Sequence, residues 1–537
     1  MHFISKFWCA LILMLTHSFV NGQADSVFTN IPSDAAGETG IAVRIDVPEY
    51  ARYTDTAPVA IMTQGGFHGE GLGKGTPGMY DYGFIEIRYN FPGCITGEYH
   101  SGGIYDIRGY NSLLALKDVI RFALDHTPDT SGNKLSDYIE SFVPDKNNTG
   151  LIAYSYGGVT NINVAGVFGQ DFPELAWILN WESPVGDGMP TAEAGARPSP
   201  LRPFNPLINP AYNPDNGNWN METLNWDDSI AIPIVDNIND TVYGGLYFDF
   251  NMDNSVDPGQ DFIAYPLVFD LGEGYKAYYS NRLMTKADEE NLFPQNPPSH
   301  IISVSETADF WHYRNTGGWI DSLVSKLTDL LFMVNASETD HVQTAPDHPH
   351  VLFQYRAFGQ ANAKFLRLNP DSSYIRYVLG YHESSAKDND AYAVFNHMTI
   401  RDCFEPGDTH DLLGRAVNVP AGACELADRT NFDVYTPQLD DVLVHIEAAN
   451  NINNGFKTYP NPCHDHIFLE LNDKFLNKPA HLTLFDVKGN AVQKQNITAG
   501  QTKTEIQLNG LKSGVYYLQI KHGHKPCFEE KILKIEK

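Results

Sequence analysis

Between residues 40 and 370, short apolar runs alternate with amphipathic stretches. Gly40 to Val47 (GIAVRIDV) alternates apolar and polar side chains, the period of a half-buried strand. Val59-Ala60-Ile61-Met62 is apolar throughout and runs into Thr63-Gln64-Gly65-Gly66-Phe67-His68-Gly69. Phe84 to Tyr89 predicts a third strand. From Tyr105 to Asp125 the spacing of Leu113, Leu116, Val119, Ile120, Phe122 and Leu124 predicts a helix. Leu151-Ile152-Ala153-Tyr154 reads as a buried strand after the polar Asn147–Gly150, and Val159 to Phe168 is a helical run of small residues. Leu175 to Trp181, Asp329 to Val334 and Ala363 to Leu368 read as further strands, with helices predicted over Gly318–Leu327 and Val351–Ala361. Strands that alternate with helices predict a parallel sheet covered on both faces.

The tail has a different pattern. LTLFDVKGNAV, TEIQLNGLKSGVYYLQI and KILKIEK alternate with period two around turns at Lys488-Gly489-Asn490 and Lys512-Ser513-Gly514, so residues 456–537 predict an antiparallel β-sandwich. Charge changes at the same place. From Phe456 onward 12 Lys stand against 8 Asp or Glu, a net of +4, so with −29 over the whole chain the remainder carries −33. An acidic body argues against nucleic acid or an anionic membrane as partner. The polar stretch Asn450–Gly455 marks the boundary, leaving residues 23–450 as the main domain.

At the N-terminus, Lys6 precedes an apolar run to Leu15 and then Val20-Asn21-Gly22. The run is too short to span a membrane, so residues 1–22 read as a cleaved secretory signal. No later stretch reaches transmembrane length. Beyond Cys9, the remaining cysteines are Cys94, Cys403, Cys424, Cys463 and Cys527, with no CxxC pair, which argues against zinc and thioredoxin-like chemistry. In an exported protein, Cys403–Cys424 and Cys463–Cys527 are the disulfides suggested by spacing, the first closing a short polar loop.

The candidate chemistry centres on Gly150 to Gly158 (GLIAYSYGG). A strand, then Ser155, a glycine pair and a helix have the layout of a nucleophile elbow, with Ala153 and Gly157 as the small residues two positions either side. The bland alternative is a serine that caps the helix. The order of elements from Val59 to Leu368 resembles the α/β-hydrolase fold. That resemblance implies an α/β protein with a mostly parallel sheet and a long lid insertion at 184–300, followed by the small all-β sandwich. It also implies an oxyanion hole from the N–H of Tyr156 with that of Gly65, Gly66 or Phe67, and a carboxylate after the Asp329–Val334 strand. Asp340 fits that position, with Glu338 in reserve. The histidine expected just after the last strand is missing from Asn369–Tyr374. His382 ranks first, with His341 and His397 as alternatives, while His348 and His350 also crowd the acid loop. Glu182, ending the Leu175–Trp181 strand, is either a substrate contact or a buried, hydrogen-bonded carboxylate.

Within the insertion, Asp249, Asn251, Asp253, Ser255 and Asp257 fall at alternate positions, with Asp261 following. Hard oxygen ligands so spaced resemble EF-hand-type loops, which implies a structural calcium ion over 249–261. Asn254 replaces the usual glycine and Gln260 the usual bidentate glutamate, leaving Asp261 to close the shell. No organic cofactor is expected.

Tyr459-Pro460-Asn461-Pro462, Asp486-x-Lys488-Gly489 and Leu511-x-Ser513-Gly514-x-Tyr516 resemble the type IX secretion C-terminal sorting domain, type A. That implies export to the cell surface or beyond, with the secretion machinery as partner. The combined expectation is a secreted serine hydrolase acting on a small or peptide-like acyl substrate, an esterase in preference to a peptidase. The alternative is a non-catalytic surface protein that binds through a hydrolase scaffold.

Overall fold

The computed structural model describes residues 25–73, 78–184, 191–196, 208–213, 218–235, 237–257, 259–336, 340, 349–370, 374–375, 378, 410–431, 456–459, 463–471, 480–486, 491–512, 514–522 and 525–534. The chain divides into two compact units, residues 1–439 and 440–537. The expected signal segment lies outside the described residues.

The first unit is built on an eight-stranded sheet. Its strands are β1 (Asp25–Ser33), β2 (Gly37–Val47), β3 (Thr56–Thr63), β4 (Ile85–Tyr89), β5 (Val143–Tyr154), β6 (Leu175–Trp181), β7 (Leu331–Asn335) and β8 (Phe365–Leu368). They lie in the order β1-β2-β4-β3-β5-β6-β7-β8. β1, β2 and β4 pair antiparallel, and every later pairing is parallel. The crossover of β3 and β4, followed by β5 to β8 in succession, is the strand order of an α/β-hydrolase. β1 was not legible as a strand, because DSVFTNIPS lacks a regular apolar period. Its backbone pairs with β2 from Asp25 to Ile31 regardless.

Helices α1 (Tyr110–Ala123), α2 (Gly157–Phe168), α3 (Ile320–Lys326), α4 (Pro349–Gln360) and α5 (His410–Asn431) cover the sheet. On one face Trp177, Leu179, Met333 and Phe365 pack with Val419, Ala423, Leu426 and Ala427 of α5. On the other, Phe332 stacks on Phe358 of α4 at 3.7 Å and Asn180 donates to the Gly158 carbonyl at the start of α2. Gly422 lets α5 close onto the sheet, since a Cβ there would lie 2.4 Å from Leu179 Cδ1. α1 begins at Tyr110 rather than Tyr105. Ile107 and Arg108 have φ of 50° and 64°, outside any helix, and the Asp106 carboxylate caps the turn by accepting from the N–H groups of Gly109, Asn111 and Ser112.

The insertion carries its own core. A long hairpin, Leu224–Ile234 with Asn237–Phe248, and the short strand Phe262–Ile263 pack Leu246, Phe248, Phe262 and Val268 together with Leu283 and Met284 from the helix Asn281–Glu289.

In the second unit two antiparallel sheets face each other. One holds Phe456–Tyr459, His466–Leu471 and Lys503–Gln507, the other Ala491–Ile497, Ala480–Asp486, Gly514–His522 and Lys525–Lys534. Ile467, Leu469 and Ile506 from one meet Leu482, Leu484, Leu518 and Ile532 from the other, the sandwich expected from the alternating pattern.

No disulfide is found among the described residues. Cys94 and Cys424 are buried thiols, pushed up by burial to about 11 and about 12. Cys424 sits on the sheet-facing side of α5, not in a short polar loop. Cys403 lies outside the described residues.

Candidate active site

Ser155 stands where β5 turns into α2. Its φ of 47° is the left-handed conformation that costs a non-glycine residue about 1–3 kcal/mol, which only the surrounding structure can hold. Its N–H donates to the Trp181 carbonyl at 2.9 Å and its carbonyl accepts from Gly158 at 3.0 Å. From Asn148 to Gly166, Ser155 is the single residue that is not buried. The turn is tight because other chain segments crowd it. A Cβ at Gly157 would come within 2.8 Å of the Thr63 and Gln64 carbonyls, and one at Gly65 within 2.8 Å of the Tyr154 carbonyl and 3.4 Å of Ser155 Cβ.

The loop after β3 therefore lies against the elbow. Its carbonyls are all engaged on one side. Arg108 Nη2 donates to the carbonyls of Gln64 (2.7 Å), Gly65 (3.3 Å), Gly66 (3.1 Å) and His68 (3.0 Å), and the Tyr105 hydroxyl donates to that of Phe67 (2.8 Å). The N–H groups of Tyr156, Gly65, Gly66 and Phe67 have no acceptor among the described residues. They are spare donors of the kind an oxyanion needs. Above them the insertion closes in: Phe67 packs on Tyr156 at 4.3 Å and on Phe269 at 4.9 Å between ring centres.

Asp340 is fully buried, and its Oδ2 lies 2.7 Å from Nε2 of His350, which is 1 % exposed. Pro349 and His350 open α4, so the helix start fixes where that imidazole stands. His341, His382 and His397, the histidines favoured from sequence, lie outside the described residues, as does Glu338. Glu182 is buried at the end of β6 with φ 45°, its N–H bonded to the Asn335 carbonyl of β7 at 2.8 Å.

The acidic loop of the insertion is closed by its own hydrogen bonds. Asn251 Nδ2 donates to Asp253 and Asp257 at 3.1 Å, and Asp261 accepts from the N–H groups of Phe250 and Asp257. Ser255 Oγ donates to Asp253, and Asn254 turns the chain with φ 62°. Among the described residues no three His, Cys, Asp or Glu side chains gather closely enough to hold a metal ion. One oxygen stands apart: Asp249 is 4 % exposed, its Oδ2 accepts from Asn254 N–H at 2.9 Å, and its Oδ1 is buried without any hydrogen-bond partner.

Residues 457–535 match the secretion system C-terminal sorting domain family. The tail is a sorting domain. The chain that carries it is a protein exported to the cell surface or beyond. No helix among the described residues is long and apolar enough to cross a membrane. None of the curated proteins matches the chain. Among solved structures it is similar to the α/β hydrolase GrgF from Penicillium sp. sh18, at 11 % identity and TM-score 0.29 over 64 % of this chain and 88 % of that one. It is also similar to a thermostable esterase from Pseudomonas putida ECU1011, at 10 % identity and TM-score 0.32 over 77 % and 83 %. A third is carboxyl esterase 2 from Tuber melanosporum, at 9 % identity and TM-score 0.31 over 65 % and 77 %. The strand order β1-β2-β4-β3-β5-β6-β7-β8 defines the fold of the first unit.

Proposed function

We propose that the protein is a secreted serine hydrolase of the esterase type, in which Ser155 attacks an acyl carbonyl. The observation that carries this reading is Ser155 itself: strained, half-buried in an otherwise buried stretch, and beside a loop with unused amide donors. Attack by its Oγ forms the bond to the carbonyl carbon while a base takes the hydroxyl proton. The N–H of Tyr156 and those of Gly66 or Phe67 then hold the oxygen that becomes negative. Collapse of the tetrahedral species expels the alcohol, which takes the proton back from the base, and water repeats the cycle on the acyl-enzyme. Asp340 is proposed to orient the base. The Asp340–His350 hydrogen bond favours His350 for that role, with His350 Nδ1 as the nitrogen that moves the proton. His382, His341 and His397 are the other assignments.

Hydrolysis of p-nitrophenyl acyl esters of increasing chain length tests the proposal. Turnover that Ser155→Ala lowers by at least about a thousandfold supports it. No turnover of any ester, carbonate or peptide amide favours the exported binding scaffold. Asn substitutions at His350, His382, His341 and His397 in turn identify the base as the position with the largest loss of kcat.

We further propose a structural calcium ion in the 249–261 loop, taken up by carboxylates that draw together from the spread, hydrogen-bonded arrangement described above. It is supported by the oxygen-rich spacing and by the buried Oδ1 of Asp249, which has no hydrogen-bond partner among the described residues. Asp249, Asn251, Asp253, Ser255, Asp257 and Asp261 are the residues that would supply its ligands.

A further inference from the structure

We infer that Arg108 is a positioning residue for the oxyanion hole: it fixes the direction of the loop amides by capturing their carbonyls. This rests on the hydrolase reading above. The carbonyls of Gln64, Gly65, Gly66 and His68 converge on a single guanidinium nitrogen, and that of Phe67 is held by Tyr105. In an extended strand successive carbonyls point to opposite sides, so five in a row held from one flank is an imposed arrangement. A trans peptide is planar, with its C=O and the following N–H opposed. Each carbonyl turned toward Arg108 or Tyr105 therefore turns the next N–H away, and the amides so turned include those of Gly65, Gly66 and Phe67. These are the groups that lack an acceptor beside Ser155.

Arg108 is suited to this by being held itself. It is fully buried, its guanidinium carbon lies 4.0 Å from the centre of the Phe91 ring, and none of its hydrogen bonds goes to a carboxylate. Carbonyl dipoles and the ring face offset the burial of its charge. Nε and Nη1 remain buried without partners, a cost that packing elsewhere must cover. The backbone is strained to bring the side chain there, with Ile107 and Arg108 both at positive φ. Arg314, just after the helix Val304–His312, locks that turn by donating to the Ile107 carbonyl at 2.7 Å and the Phe310 carbonyl at 2.6 Å. Strain at consecutive residues, kept by a second buried arginine, is what a preorganised site requires.

The test compares the full chain with Arg108→Gln, Arg108→Lys and Tyr105→Phe on a p-nitrophenyl ester. Active sites are titrated with a fluorophosphonate, so that unfolded protein does not count. For Arg108→Gln, kcat per titrated site is expected to fall about a hundredfold with KM within about threefold, since donors act on the transition state. Arg108→Lys should recover only part of the rate, because a flexible, shorter stem without the planar group that stacks on Phe91 does not hold its nitrogen at the point where the carbonyls converge. Tyr105→Phe removes one hydroxyl, is the mildest change, and should cost about fivefold in kcat. A merely structural role would lower the melting temperature and the titrated fraction while leaving kcat per site unchanged. Wild-type kcat per site in Tyr105→Phe and in whichever Arg108 variants fold overturns the inference. A wild-type protein that neither hydrolyses esters nor is labelled at Ser155 contradicts the hydrolase reading instead.

Discussion

At Ser155 the constraint on the chain is steric and local. A strand that turns into a helix over one residue needs small side chains at fixed offsets, and Ala153 and Gly157 supply them. Asp340 follows strand β7 in the chain, and its hydrogen-bond partner is His350. His350 is fixed by the start of α4 and by a contact between a loop and a helix terminus, and spacing alone cannot separate it from His341 or His348. The proposal makes a definite prediction for Asp340→Asn. A neutral amide in place of the carboxylate leaves the imidazole in the wrong tautomer, so kcat should fall about 10³-fold or more while KM and the melting curve change little. A stopped-assay comparison of kcat with thermal unfolding checks it. A variant that unfolds readily yet retains full kcat per folded molecule would assign Asp340 and His350 a packing role.

The parallel strands were readable because burial on both faces leaves no polar alternation to confuse them, as in Leu175–Trp181 and Leu331–Asn335. α5 was not. Its sequence holds Pro420 and Gly422 within the helix, residues that normally argue against one, and tertiary packing of Gly422 under Leu179 overrides that preference. The insertion lacked a legible period because its hairpin is irregular: register shifts interrupt the pairing between Asp227 and Ala231 and between Pro233 and Ile234. Its acidic loop carries the prediction at this level. If calcium binds, millimolar calcium against EGTA should raise the melting temperature of the full chain by about 3 °C. Asp249→Ala should abolish the difference. Calorimetric melts that coincide with and without the ion would remove calcium from the account.

Across the molecule, charge separates what pattern also separates: an acidic main unit and a basic tail. The tail was legible because turn motifs at Lys488-Gly489 and Ser513-Gly514 punctuate a period-two pattern, and both features depend only on local sequence. A chain lacking residues 440–537 should keep its ester hydrolysis per molecule when recovered from cells and fail to reach the cell surface or medium, as fractionation followed by activity assay would register. Equal export of the truncated chain would contradict the role of the tail. The central claim is tested most directly by treating the full-length protein with a fluorophosphonate and locating the adduct by peptide mass spectrometry. The account predicts a single phosphonylated residue, Ser155, absent in Ser155→Ala and after prior heat unfolding. A protein that stays unmodified, or is modified elsewhere with Ser155 untouched, would contradict it.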